Sequence, residues 1–94
     1  MNSLQRMLMS LALTPAVAIV SAQEVNVSGV VTDATGETII GASVVEKGTT
    51  NGTVTDIDGK FTLKVKKGAQ LEFSYIGYNN VTLEAKPTMN VVLS

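Results

Sequence analysis

Asp56 and Asp58 stand two residues apart in the stretch KGTTNGTVTDIDGKFTLKV, residues 47–65. Carboxylates at that spacing suit two kinds of chemistry. They can open a calcium loop, or they can divide general acid and base work across a glycosidic bond. An EF-hand loop needs glycine at its sixth position and a carboxylate at its twelfth. Counted from Asp56, those positions hold Phe61 and Lys67. A glycosidase pair needs a cleft that holds the carboxyls about 5–9 Å apart, whereas Asp56-Ile57-Asp58-Gly59 reads as a tight exposed turn. A Ser or Thr nucleophile activated by Lys needs burial in a pocket, and so small a domain has little room for one beside its core. The sequence therefore yields no catalytic, metal-binding or cofactor-binding residue, and no cofactor is expected.

Three Asn-x-Ser/Thr triplets raise a different chemistry, glycan attachment: Asn26-Val27-Ser28, Asn51-Gly52-Thr53 and Asn80-Val81-Thr82. Asn26 and Asn80 lie at or near strand starts, which is awkward for a glycan. Asn51-Gly52 suits a hairpin turn equally well.

Composition narrows the field further. The 94 residues contain no Cys, His or Trp, and the formal net charge is −1. Disulfides, Cys/His metal sites, a His base and a Cys nucleophile are thereby excluded. A near-neutral chain with 4% aromatic residues offers neither the charge nor the stacking surface that nucleic acid requires.

Residues 1–22 carry the layout of a secretory signal: Arg6, a mostly apolar run from Met7 to Val20, then Val20-Ser21-Ala22. The run is about 14 residues where a membrane span needs roughly 20, and Pro15 breaks it. Cleavage after Ala22 is expected, leaving a single domain over 23–94. Export without cysteine fits a bacterial envelope better than an animal extracellular module.

Beyond residue 22 the pattern is of period two. Phe61, Leu63 and Val65 alternate with Thr62, Lys64 and Lys66; Leu71 and Phe73 alternate with Glu72 and Ser74. Val81 and Leu83 share one face, as do Met89, Val91 and Leu93. Asp33-Ala34-Thr35-Gly36 and Asp56-Ile57-Asp58-Gly59 share one grammar, Asp first and Gly fourth, which suits a type I turn followed by a left-handed glycine. Strands are expected near 25–32, 39–46, 53–56, 60–66, 70–76, 80–84 and 89–93. Short strands with one apolar face each bury it by packing two sheets together, so the fold class is all-β, a small seven-stranded β-sandwich. Tyr75 continues the Leu71/Phe73 face and is expected in the core. Ile76 then points outward and Tyr78 follows the Gly77 break, so Ile76 and Tyr78 form a candidate partner-binding patch.

With these residues in place, the chain resembles the carboxypeptidase regulatory-like domain, a transthyretin-like sandwich. It is most similar to the version that precedes SusC/RagA-type TonB-dependent outer-membrane receptors. The resemblance rests on Gly29-Val30-Val31-Thr32-Asp33, Gly41-Ala42, Lys47-Gly48-Thr49, Gly52-Thr53, Thr55-Asp56, Asp58-Gly59-x-Phe61 and Ser74-Tyr75-Ile76-Gly77-Tyr78. Thr38-Ile39 departs from it, standing where the family often has Pro-Leu. The resemblance implies a Greek-key topology and a non-enzymatic accessory module in the periplasm or outer membrane of a Gram-negative bacterium. It implies a part in glycan or peptide uptake, with protein partners in the envelope: a receptor plug and barrel, the TonB system or a surface lipoprotein. These 94 residues hold neither plug nor barrel, so an accessory domain of, or derived from, such a receptor is expected. A free-standing envelope module for protein binding or adhesion is the alternative.

Overall fold

The computed structural model describes residues 23–94; the expected signal segment, 1–22, lies outside the described residues. Seven strands follow one another: β1 (Glu24–Asp33), β2 (Ser43–Glu46), β3 (Gly52–Val54), β4 (Lys60–Lys66), β5 (Gln70–Ser74), β6 (Val81–Glu84) and β7 (Thr88–Leu93). They form two sheets, one ordered β4-β1-β7 and the other β3-β2-β5-β6. Hairpins join β2 to β3 and β5 to β6, while the other connections cross between layers, as a Greek-key sandwich requires.

The period-two residues meet in the space between the sheets. Val27, Val31, Phe61, Val65, Met89, Val91 and Leu93 come from the three-stranded sheet, and Val44, Leu71 and Phe73 face them from the other. Phe61 and Phe73 contact edge to face across the layers, with centroids 5.6 Å apart. Gly29 makes that contact possible. It sits in the middle of β1, opposite Phe61 on one side and Met89 on the other. A Cβ there would lie 2.5 Å from the Met89 carbonyl oxygen and 2.7 Å from Phe61 Cε1, so the ring occupies the space a side chain would need.

Three expectations need correction, the first being the strand expected over 53–56, which spans Gly52–Val54 and leaves Thr55 and Asp56 outside it. The strand expected over 39–46 begins only at Ser43. Gly41 adopts a φ of 80°, and 39–42 turns inward onto Thr55 instead. The Thr55 hydroxyl donates to the Ile39 carbonyl at 2.6 Å and accepts from the Ala42 amide at 2.8 Å. The strand expected over 70–76 stops at Ser74. Tyr75 therefore leaves the core face and is 41% exposed, while Tyr78, beyond the Gly77 break, packs partly buried against the core.

Candidate interaction surface

The Asp56-Ile57-Asp58-Gly59 corner is built as a turn down to its side chains. The Gly59 amide donates to the Asp56 carbonyl at 2.9 Å, and Gly59 has a φ of 74°. Asp56 Oδ1 accepts the amides of Asp58 and Lys60, each at 2.9 Å. The corner at Asp33 repeats the arrangement. The Gly36 amide reaches the Asp33 carbonyl at 3.0 Å, and Asp33 Oδ1 accepts from the amides of Thr35 and Glu37. The Thr35 hydroxyl also donates to Asp33 Oδ1, and this bond is the main influence lowering the Asp33 carboxyl below its ordinary value; desolvation opposes it, and the amides of Thr35, Glu37 and Gly36 add to the lowering. In both corners the first aspartate is occupied with the backbone of its own turn. Among the described residues no three Asp or Glu side chains gather to hold a metal ion.

The side-chain amide of Asn51 is likewise engaged. Its Nδ2 donates to Glu46 Oε1 at 3.1 Å and to the Lys64 carbonyl at 2.8 Å. Glu46 is buried, and its second oxygen accepts the Lys66 amide at 3.3 Å. A glycan on Asn51 would replace one Nδ2 hydrogen and so remove one of these two bonds. Asn51 thus ties the β2–β3 hairpin to β4, a role that no sequence motif announces, because Glu46 is a long-range partner of β4.

The surface that remains is apolar and lies at one end of the sandwich. In the turn after β5, the Tyr78 amide donates to the Tyr75 carbonyl at 3.1 Å, with Gly77 at a φ of 91°. Ile76 stands at its tip, 93% exposed. The rings of Tyr75 and Tyr78 lie 6.0 Å apart, Tyr78 anchoring the turn to the core and Tyr75 presenting its ring to solvent. Beside them a shallow depression of about 500 Å³ is lined by Gly41, Ser43, Ser74, Tyr75, Ile76 and Asn80. Exposed Ile40 flanks it, next to Gly41, and exposed Val54 lies opposite Ser43 in the neighbouring strand. Of the two residues expected to form a patch, Ile76 is exposed and Tyr78 is the half-buried support. The sequence reading missed Tyr75 and Ile40. The adjacent pair Ile39-Ile40 carried a signal for the second, since neighbours in an extended chain point opposite ways. Ser94 ends the described chain beside this turn, its carbonyl accepting the Asn79 amide at 2.8 Å.

Fold and surface together define a small two-layer β module with an exposed apolar end. The chain belongs to the carboxypeptidase regulatory-like domain family, whose sequence profile matches residues 27–93. It is 51% identical over 72 residues to the TonB-dependent receptor SusC of Bacteroides thetaiotaomicron, a match covering 77% of this chain and 7% of that protein. Two TonB-dependent receptors of Formosa agariphila are also similar: one is 42% identical over 69 residues, the other 39% over 80. Those matches cover 71% and 81% of this chain, but only 7% and 8% of the receptors. The chain thus spans less than a tenth of the length of these relatives.

Proposed function

We propose that this chain is a non-enzymatic accessory domain of, or derived from, a TonB-dependent outer-membrane receptor for glycan or peptide uptake, and that it acts in the cell envelope by docking a protein partner. The observation that carries the reading is the 51% identity to SusC across the folded region. Two features of the molecule support it. Asp56 and Asn51, two of the side chains considered for chemistry, are engaged in a turn and at a strand edge. The exposed apolar cluster of Ile40, Tyr75 and Ile76 lies beside Ser94, so any polypeptide continuing from there emerges next to it. The partner that best fits is the receptor's own plug and barrel.

Photo-crosslinking tests this. A photoreactive residue replaces Ile76 in the exported protein, and the same residue replaces Thr62, exposed on the far sheet, as a control. Adducts with receptor plug or barrel peptides at position 76, absent at 62, are expected. Equal labelling at both positions, or no adduct at 76, refutes docking through this end. Adducts confined to TonB-system proteins or to a surface lipoprotein would reject the plug and barrel as partner. Adducts with unrelated adhesion proteins would favour the free-standing module.

A further inference from the structure

The sandwich has four strand edges, and three of them are protected. The outer edge of β4 is closed by the molecule itself. Lys60 exchanges bonds with Asp56 through its amide and its carbonyl, the Lys64 carbonyl accepts Asn51 Nδ2, and the Lys66 amide meets Glu46. Its lysines add the charge that discourages pairing with another strand. β3 is only three residues long. β6 is four residues long and ends in Glu84, which is ion-paired with Lys86 at 3.6 Å.

β7 is different. Its six residues, TMNVVL, contain no charge, proline or glycine. Among the described residues it pairs in parallel with β1 alone. The Ser28 amide donates to the Pro87 carbonyl at 3.0 Å, which sets the ladder's phase. Met89, Val91 and Leu93 bond towards β1, and the backbone groups of Thr88, Asn90 and Val92 face outward. The flank beside them is open as well. A groove of about 300 Å³ runs between β6 and β7, lined by Leu83, Glu84, Lys86, Thr88, Met89 and Asn90. Leu83 sits opposite Leu71 on the inward row, yet is 38% exposed.

We infer that β7 is a self-association edge: two copies pair antiparallel through β7 about a two-fold axis at Asn90, joining their three-stranded sheets into one of six strands. The strand's own pattern selects a second copy as occupant. With the axis at Asn90, Thr88 falls opposite the second copy's Val92, Asn90 opposite its counterpart, and Met89 opposite Val91. Outward-facing backbone groups then meet outward-facing ones, apolar inner positions meet apolar inner positions, and no like charges face each other. The same operation on β4 would set lysines against lysines. It also turns the two open flanks, each with its Leu83, towards each other, and the closed two-fold arrangement consumes both free edges. This inference concerns the β6/β7 flank and does not rest on the receptor reading.

Sedimentation equilibrium of residues 23–94 tests it; these residues carry a complete core with no buried side-chain polar atom lacking a partner. The mass should double as concentration rises to about 1 mM, the weak end of specific association. Asn90→Pro removes an outward N–H that the β1 ladder does not use, a position where edge strands tolerate proline. Val92→Lys places a charge on the edge. Each should weaken the dimer at least about tenfold while circular dichroism and the melting temperature stay near those of the parent; Thr62→Lys, on β4, should leave the dimer unchanged. A monomer throughout the range overturns the proposal, as does a dimer indifferent to both β7 variants. A chain that stays monomeric but captures a foreign strand in a Val92-dependent way also overturns it.

Discussion

Replacing Thr55 with valine removes one oxygen and keeps the side chain's shape. Thr55 is 3% exposed, and its hydroxyl joins the Ile39 carbonyl at 2.6 Å to the Ala42 amide at 2.8 Å. These are the hydrogen bonds found for that carbonyl and that amide, so valine leaves both buried groups unpaired. Each costs about 1–3 kcal/mol. The extra methyl returns under about 1 kcal/mol of apolar burial, for a net loss of roughly 1–5 kcal/mol. A domain of this size is held by about 4–11 kcal/mol in all, so the substitution should remove a large fraction of its stability. The melting temperature should fall by roughly 4–40 °C, at about 4–8 °C per kcal/mol. Urea unfolding of residues 23–94 measures the change directly, and the slope m should stay constant. Thr55→Ser keeps the hydroxyl and should cost only about 1 kcal/mol. A valine variant within about 0.5 kcal/mol of the parent would refute the reasoning that this hydroxyl holds 39–42 in place.

Gly29→Ala should destabilise by about 1–3 kcal/mol through overpacking, because its Cβ would meet the Met89 carbonyl and the Phe61 ring; urea midpoints report it, and a neutral result would show that both the Met89 backbone and the Phe61 ring give way freely. Asn51→Asp should cost more than Asn51→Ala, since it sets a second carboxylate against buried Glu46; urea unfolding of the two variants at neutral pH compares them, and an equal cost would show that Glu46 does not feel position 51. The carboxyl of Asp33 is lowered, chiefly by the Thr35 hydroxyl, so its contribution to stability is complete above the ordinary value of 3.8 and is lost as pH drops through the folded value. The stability difference between the parent and Asp33→Asn, followed by urea unfolding from about pH 6 to about pH 2, should narrow at the acid end; a constant difference would show that the turn bonds do not act on that carboxyl.

Much of the architecture could be read from local pattern. Alternation at Phe61/Leu63/Val65 and at Met89/Val91/Leu93 placed two strands and their buried faces, because side-chain direction in a strand follows from sequence parity alone. Asp-x-x-Gly marked both corners at 33–36 and 56–59, since the aspartate and the left-handed glycine act within the turn itself. Parity failed where the chain stopped being a strand. Tyr75 continued the right face on paper, but β5 ends at Ser74 and the Gly77 turn hands the packing role to Tyr78. Long-range pairings left no local trace. The parallel contact of β1 with β7, the Thr55 link to 39–42, and the closure of the β4 edge by Asn51 and Glu46 each join residues distant in sequence. Exposure at this end was half legible for the same reason: Ile76 sits at the tip of a recognisable turn, whereas the exposure of Ile40 goes with the inward fold of 39–42.

The central claim is that this domain acts by contact through the Ile40/Tyr75/Ile76 end and not by chemistry at its aspartates. Amide chemical-shift mapping of isotopically labelled residues 23–94 tests it most directly, with the purified plug and barrel of a SusC-like receptor added first and calcium added separately. The account predicts receptor-induced shifts concentrated at residues 40–43 and 74–80, with calcium leaving the spectrum unchanged. Saturable calcium shifts centred on Asp56–Gly59, or receptor shifts that avoid Ile76, would contradict it.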